Sequence, residues 1–206
     1  MRKSAILIVI VALVSCLTSA AALAESGAMG MGVKAGLSLA TFRGSDADIG
    51  TVSPGYRTGL AVGGYVNFEL ASQLKLQPEI YYAMKGGKYS NGGETLTMKF
   101  DYLEIPVLIR FSPETSGKVT PVFFAGPTVG FKLSAKAKAE TSAGTTETTV
   151  DNLKGTDIGL AFGAGLEVSE FTFDARYTLG LTKIDDGATA SNVKNGAFMF
   201  LVGYAF

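Results

Sequence analysis

The sequence predicts an all-β fold: an eight-stranded antiparallel transmembrane β-barrel with both termini in the periplasm. Three observations predict it. The chain begins with an export signal, the rest divides into eight segments of alternating apolar and polar residues, and the connections between segments alternate between long and short. Because 47% of the residues are hydrophobic, the chain has much apolar surface to place in a core or against lipid.

The first 24 residues have the pattern of a secretory signal peptide. A basic start is followed by an apolar run over residues 5–14 and by an Ala-x-Ala site that ends at Ala24. This order of regions predicts cleavage after Ala24, because the apolar run is shorter than the roughly 20 residues of a membrane-spanning helix. We therefore assign residues 1–24 to the signal peptide and residues 25–206 to one outer-membrane β-barrel domain.

An alternative for the signal stays open at Cys16. Residues 13–16 (LVSC) are similar to a lipoprotein box, in which Cys16 would be acylated and would become the new N-terminus. The residues after Cys16 stay apolar up to Ala24, which is typical of a continuing signal rather than of a soluble tether. If the signal is cleaved after Ala24, Cys16 is a small hydrophobic residue of its apolar core.

Composition excludes several classes of function. The full chain has 18 Lys and Arg against 18 Asp and Glu, and removal of the signal takes away two basic residues and no acid, leaving 16 against 18 and a charge of −2. A nucleic-acid partner is not expected, because such partners bind proteins with an excess of positive charge. The chain has no histidine and one cysteine, which lies in the signal. We therefore predict no cofactor, no metal site and no histidine-based catalytic pair, and we do not expect an enzyme.

The first four segments of the barrel are residues 31–39, 59–70, 74–85 and 102–111. Apolar residues occupy alternate positions in each of them, and polar residues or glycines occupy the positions between. Side chains of a strand point alternately to its two faces, so each segment has one apolar and one polar face. Two prolines, Pro78 and Pro106, predict a bulge or local bend in the third and fourth segments, because proline lacks a ladder donor.

The last four segments are residues 119–133, 157–168, 171–181 and 197–206, and they continue the same alternation. All eight are about ten or more residues long, enough to cross a bilayer as a tilted strand. Soluble strands average about five or six residues. In lipid, every backbone N–H and C=O group needs a hydrogen-bond partner within the protein, so only helices and closed barrels can span the membrane. Because helical periodicity is absent, we predict a closed barrel with an even number of strands.

The connections between segments independently support this fold. Outer-membrane barrels have short periplasmic turns and longer extracellular loops. The four long connections are therefore expected outside the cell, and the stretch 134–149 is expected to form a mobile external loop. The long connections are residues 43–56, 86–96, 136–154 and 183–194, and the short ones are residues 71–73, 112–118 and 169–170.

Six of the charged residues on the predicted inner faces are candidates for a role in the lumen. They could form a polar conduit or a proton-sensitive gate, or they could pair with one another and fill the lumen. Filling is favoured, because an eight-stranded interior is just wide enough for side chains and because buried charges need partners. The predicted lumen charge network consists of Glu79, Glu104, Arg110, Glu167, Asp174 and Arg176.

The chain ends on an aromatic residue that follows apolar residues at alternate positions. This ending resembles the signal by which the barrel-assembly machinery recognises outer-membrane barrels. It implies that this machinery and the lipid of the outer membrane are partners, and no specific protein partner is predicted. The residues of this C-terminal assembly signal are Phe206, Tyr204, Val202 and Phe200.

Ordered motifs resemble a known family. Residues 76–82 (LQPEIYY) are similar to the third-strand motif of the outer-membrane β-barrel family that includes the PorT-like proteins, and residues 102–108 (YLEIPVL) to its fourth-strand motif. Residues 125–127, 157–167 and 176–181 are similar to later strands of that family in the same order. The resemblance covers most of the chain after the signal. It implies a Gram-negative outer-membrane location and, for the PorT branch, an association with protein secretion.

Three functions stay open on the sequence. The first is an integral outer-membrane barrel with a structural or interaction role, which presents four long extracellular loops. The second is a narrow channel for solutes or ions, and the third is an accessory component of a protein secretion system. The first is favoured, because the lumen of so small a barrel is expected to be full.

Overall fold

The computed structural model describes residues 29–150, 153–185 and 191–206. The predicted signal peptide, its cleavage site and Cys16 lie outside the described residues. The described part is dominated by long antiparallel strands. These are β1 (Met29–Arg43), β2 (Arg57–Ala71), β3 (Leu74–Asn91), β4 (Glu94–Phe111), β5 (Val119–Thr141), β6 (Gly144–Thr149), β7 (Thr156–Val168), β8 (Phe171–Gly180) and β9 (Lys194–Ala205).

Eight of these strands form a closed ring. Each strand pairs with the next in the order β1, β2, β3, β4, β5, β7, β8 and β9, and β9 then pairs with β1. The predicted eight-stranded antiparallel barrel is thereby confirmed. Strand β6 stands outside the ring and pairs with β5. Within the described ranges, no helix combines the length and the apolar character needed to cross a membrane.

The two faces of the ring differ in polarity, as the alternation predicts. On β1, Lys34 and Ser38 point inward and are fully buried, while the alternate residues Val33 and Leu37 are 37% and 49% exposed on the outer face. A barrel dissolved in water would turn its apolar side chains inward. The outer surface therefore suits a lipid surround. Further exposed apolar side chains of this surface include Leu60, Val62, Ile105, Val107, Ile109, Phe162, Phe173, Phe200 and Val202.

The two ends of the barrel differ in their connections. We call the end with the short connections 72–73, 112–118 and 169–170 the turn end, and the opposite end the loop end. At the turn end, the Tyr204 ring lies 5.4 Å from Phe171 and 5.6 Å from Phe206, measured between centroids.

An aromatic cluster also lies toward the loop end of the outer surface, where the Tyr177 and Phe198 rings are 4.5 Å apart. Tyr177 lies six positions after Phe171 on β8, which corresponds to about 20 Å along the strand. Two aromatic belts that flank an apolar band are typical of barrels that span the outer membrane.

The loop end rises higher on one side than the sequence predicts. Strands β3 and β4 stay paired up to a two-residue turn at Gly92 and Gly93, whose positive φ angles of 57° and 87° suit a tight hairpin. Strands β5 and β6 form a second hairpin beside them. We call residues 86–101 and 134–149 the arm.

The arm corrects two sequence predictions. The connection predicted at residues 86–96 is a hairpin, and the mobile loop predicted at 134–149 is paired β-structure. The polar threonine- and lysine-rich composition of these segments indicated loops. Alternation of polar with small or apolar residues continues through them, however, and each strand finds a partner in its neighbour.

The prolines of the third and fourth strands do not cause bulges. Pro78 pairs with Val107 and Pro106 with Thr128, and the register is the same on both sides of each proline. The predicted bulge is therefore wrong at both positions, because a proline removes one donor from the ladder without adding a residue. The alternative of a local bend stays a prediction. The register shifts lie elsewhere, at residues 69–71 of β2 and 101–102 of β4.

Candidate functional site

The inner face of the barrel holds a set of ion-paired side chains, which we call the central network. Its members project from β1, β3, β4, β7 and β8, so it connects opposite walls of the ring. Three cations face three anions. The members are Lys34, Glu79, Arg110, Glu167, Asp174 and Arg176.

Glu79 is one of the two acceptors at the centre of this network. Lys34 Nζ lies 3.2 Å from its Oε1 atom. The Arg176 guanidinium binds it in a bidentate manner, with Nη2 2.9 Å from Oε1 and Nη1 2.6 Å from Oε2. The amide of Gln77 also donates to Oε1. Both carboxylate oxygens of this buried group are therefore matched by cations.

Asp174 is the second acceptor. Its Oδ2 atom lies 2.6 Å from Lys34 Nζ and 3.1 Å from Arg110 Nη1. The same arginine reaches Glu167, with Nη2 3.1 Å from Oε1. The Glu167 side chain is 25% exposed, whereas those of Lys34, Arg110 and Asp174 are at most 1% exposed. Lys34 thus joins the Glu79 and Asp174 halves into one balanced unit, which offsets the cost of burying each charge.

Aromatic rings fill the space between the charged groups. The Phe124 ring lies 5.2 Å from the Arg110 guanidinium carbon and 5.4 Å from that of Arg176. On the other side, Arg176 lies 5.3 Å above the Tyr81 ring. Gly163 makes room for this arrangement, because a Cβ atom there would lie 2.8 Å from Phe124 Cζ. The central network is therefore packed as well as paired.

A second set of polar side chains lies closer to the loop end, and we call it the upper network. Lys85 Nζ lies 2.5 Å from Glu104 Oε1 and 4.0 Å from Asp157 Oδ2. Asn195 Nδ2 donates to Asp157 Oδ2 at 2.8 Å and to the Tyr102 hydroxyl at 3.2 Å. Of the six predicted network residues, the structure joins five in the central network and places Glu104 in the upper one.

Three charged members of these networks were missing from the predicted set. They are Lys34, Lys85 and Asp157, which lie on the inward phase of β1, β3 and β7. The available signal was their position in the alternation, because each directly follows or precedes an apolar residue: Lys34 follows Val33, Lys85 follows Met84, and Asp157 precedes Ile158. Without Lys34 and Lys85, the predicted set had two cations for four anions, an imbalance that itself indicated missing lysines.

Above the upper network, an apolar cluster covers the loop end, and we call it the cap cluster. The Phe42 ring lies 5.5 Å from Phe100 and 6.3 Å from Tyr89. The Tyr89 hydroxyl donates to the Ala47 carbonyl oxygen at 2.7 Å, which fixes the connection 44–56 over the barrel. The cap cluster consists of Phe42, Ala47, Tyr89, Phe100, Tyr102, Ala135 and Val193.

The chemistry of this interior is that of a filled core. Every carboxylate of the two networks has a cationic nitrogen within 4.0 Å. Among the residues that the structure describes, no group of three histidine, cysteine or acidic side chains is placed to hold a metal ion. Arg110, Lys34 and Lys85 are among the largest fully buried side chains. The lumen is thus occupied by protein from the central network to the cap cluster.

The outer face of the arm has a different character, because lysines of β3, β4 and β5 are exposed or half-buried there. Glu147 of β6 accepts from Lys136 Nζ at 2.5 Å and from Lys99 Nζ at 2.8 Å. These hydrogen bonds lower the pKa of Glu147 to about 2. Lys138 Nζ lies 2.6 Å from Glu140 on the same strand.

The C-terminal residues line the outer surface of β9. Phe200, Val202 and Tyr204 are 53%, 50% and 43% exposed, and the backbone N–H of Phe206 donates to the Met31 carbonyl oxygen of β1 at 2.9 Å. The side chains of the predicted assembly signal therefore lie on the outer face, and their recognition by the assembly machinery stays a prediction.

Comparisons with known proteins agree with this architecture. The model of the outer membrane protein beta-barrel domain family matches residues 22–186. No curated protein matches the chain.

Several solved structures are similar to it. The attachment invasion locus protein Ail of Yersinia pestis is 19% identical, with a TM-score of 0.43, over 86% of this chain and 98% of that chain. Neisserial surface protein A is 17% identical, with a TM-score of 0.45, over 85% and 97%. OprG of Pseudomonas aeruginosa is 12% identical, with a TM-score of 0.46, over 87% and 96%.

Proposed function

Because the chain belongs to the outer membrane protein beta-barrel domain family, we propose that it is an integral outer-membrane protein with a structural or interaction role and no enzymatic activity. In this proposal the barrel is an anchor. The arm and the connections of the loop end are the parts that it presents outside the cell.

The observation that supports this role best is the filled interior. A solute that crosses the barrel would have to displace the cap cluster and then separate Lys34 and Arg110 from Asp174, which are paired within 3.1 Å. Both steps expose unpaired charges or apolar side chains, each at a cost of several kcal/mol. The narrow-channel alternative is therefore less well supported.

The orientation is part of the proposal. Short turns in the periplasm and long connections outside are the usual arrangement in this class of barrel. In this arrangement the turn end and both termini lie in the periplasm. We propose that the chain is exported through a signal cleaved after Ala24 and is assembled through its C-terminal strand. The secretion role rests on the resemblance of residues 76–82 and 102–108 to PorT-like motifs, and it stays a prediction.

Cysteine labelling in intact cells tests the orientation. We expect Thr145→Cys, on β6, to react with a membrane-impermeant maleimide, because all of β6 is exposed at the loop end. Ser116→Cys, in the turn 112–118, should react only after the outer membrane is permeabilised. The unaltered chain is the control, because Cys16 is its single cysteine. Labelling of Ser116→Cys but not of Thr145→Cys in intact cells would show the opposite orientation.

A further inference from the structure

The outer face of the arm continues the lipid-facing surface of the barrel. On β4, the outward residues Ile105 and Leu103 are followed on the same face by Asp101, Lys99 and Thr97. Lys99 is four residues beyond Leu103, about 13 Å along the strand, or about 10 Å along the axis of a barrel with the usual strand tilt. Polar headgroups flank the hydrocarbon core at this height.

Strand pairing brings four lysines together at that height. Lys99 of β4 is directly opposite Lys136 of β5, and Thr97 lies between Lys88 of β3 and Lys138 of β5. Like charges directly opposite one another are unfavourable unless an anion lies between them. Glu147 bridges the first pair, and Glu140 binds Lys138. Asp101 on the same face pairs with Arg57 at 4.0 Å. The four ammonium groups against the carboxylates of Glu140 and Glu147 then leave a net charge of +2.

We propose that these four lysines bind the phosphate groups of anionic lipids in the membrane leaflet next to the loop end. The surface is continuous with the lipid-facing rows, so lipid headgroups are the molecules that reach it first. Its charge is complementary to phosphate, and Lys88 is exposed on the far side of Thr97 from Lys138. Lipid binding of this kind would fix the height and tilt of the arm above the membrane.

The turn end gives the contrast. Outside the central network, its charged residues near the strand ends and in the connections are Glu69, Lys75, Glu114, Lys118 and Glu170, two cations against three acids. Attraction to anionic headgroups is therefore expected only at the leaflet next to the loop end. The lipid binding does not depend on the orientation of the barrel. The assignment of this leaflet as the outer one rests on the proposed orientation.

Native mass spectrometry of the folded chain in detergent tests the proposal, with phosphatidylglycerol and phosphatidylcholine as probes. We expect the chain to bind phosphatidylglycerol more tightly. The double variant Lys88→Gln/Lys138→Gln should weaken that binding about tenfold, since each lysine near an anionic headgroup contributes a severalfold factor. The matched control Lys75→Gln/Lys118→Gln at the turn end should bind like the unaltered chain.

Three results would overturn the proposal. The first is equal binding of the two lipids, and the second is equal loss in both double variants. The third is full displacement of the lipid by inorganic phosphate at matched ionic strength, which would indicate a free anion rather than a headgroup. Heat-modifiable migration on a gel verifies that each variant is folded. The labelling of Thr145→Cys is independent of these outcomes, so failure of lipid binding leaves the proposed role standing.

Discussion

Replacement of Glu79 by glutamine is expected to lower the free energy of unfolding by about 3–5 kcal/mol. The change keeps the shape of the side chain and removes the charge that pairs with Arg176 at 2.6 Å and with Lys34 at 3.2 Å. Lys34 keeps Asp174 as a partner. Arg176 loses the carboxylate that binds it in the described part of the chain, and it stays fully buried. Urea unfolding of the barrel in lipid vesicles measures the difference.

Two companion variants separate the ion pair from general damage. Glu170→Gln lies in an exposed turn and should change stability by less than about 0.5 kcal/mol. The double variant Glu79→Gln/Arg176→Met removes both partners and should recover much of the loss, because the cost comes from the unpaired charge. A loss under about 1 kcal/mol for Glu79→Gln would contradict the assignment of a tightly coupled central network.

Truncation of Phe100 in the cap cluster is expected to cause the second large loss of stability. Phe100 is fully buried and its ring lies 5.5 Å from that of Phe42. Phe100→Ala should cost about 3–5 kcal/mol, from lost apolar burial and the cavity left behind. The connection 44–56 should also become sensitive to protease, because Ala47 belongs to the same cluster.

Phe100→Leu is the matched control for this position. It keeps most of the volume and should cost less than about 1.5 kcal/mol, with the connection 44–56 still protected. Equal stability loss and equal cleavage in the two variants would contradict a packed cap, since the size of the side chain would then not matter.

The sequence predicts the ring well because the polarity of neighbouring residues indicates which face of a strand each side chain occupies. Val33 and Lys34 are neighbours in the chain, and their difference in polarity is enough to place one outside and one inside. The apolar outer face and the short turns follow from the same pattern. The six predicted inner charges all lie on the inward face for this reason.

The pairing of those charges depends on information that is not local. Lys34 reaches Asp174 across 140 positions of sequence, and this contact follows from the register of β1, β8 and β9 taken together. The cap cluster was missed because Phe42 and Ala47 lie at or beyond a strand end, where apolar residues have no regular period. The arm was missed because threonine, glycine and lysine occur in both loops and exposed strands.

A filled and capped barrel is expected to present its loop end without conducting. The most direct measurement is single-channel recording of the unaltered folded protein in planar bilayers, with heat-modifiable migration as the check on folding and empty bilayers as the blank. The interior described above predicts a silent protein. Discrete current steps that increase in frequency with the amount of protein would contradict it, and they would make the narrow channel the better account.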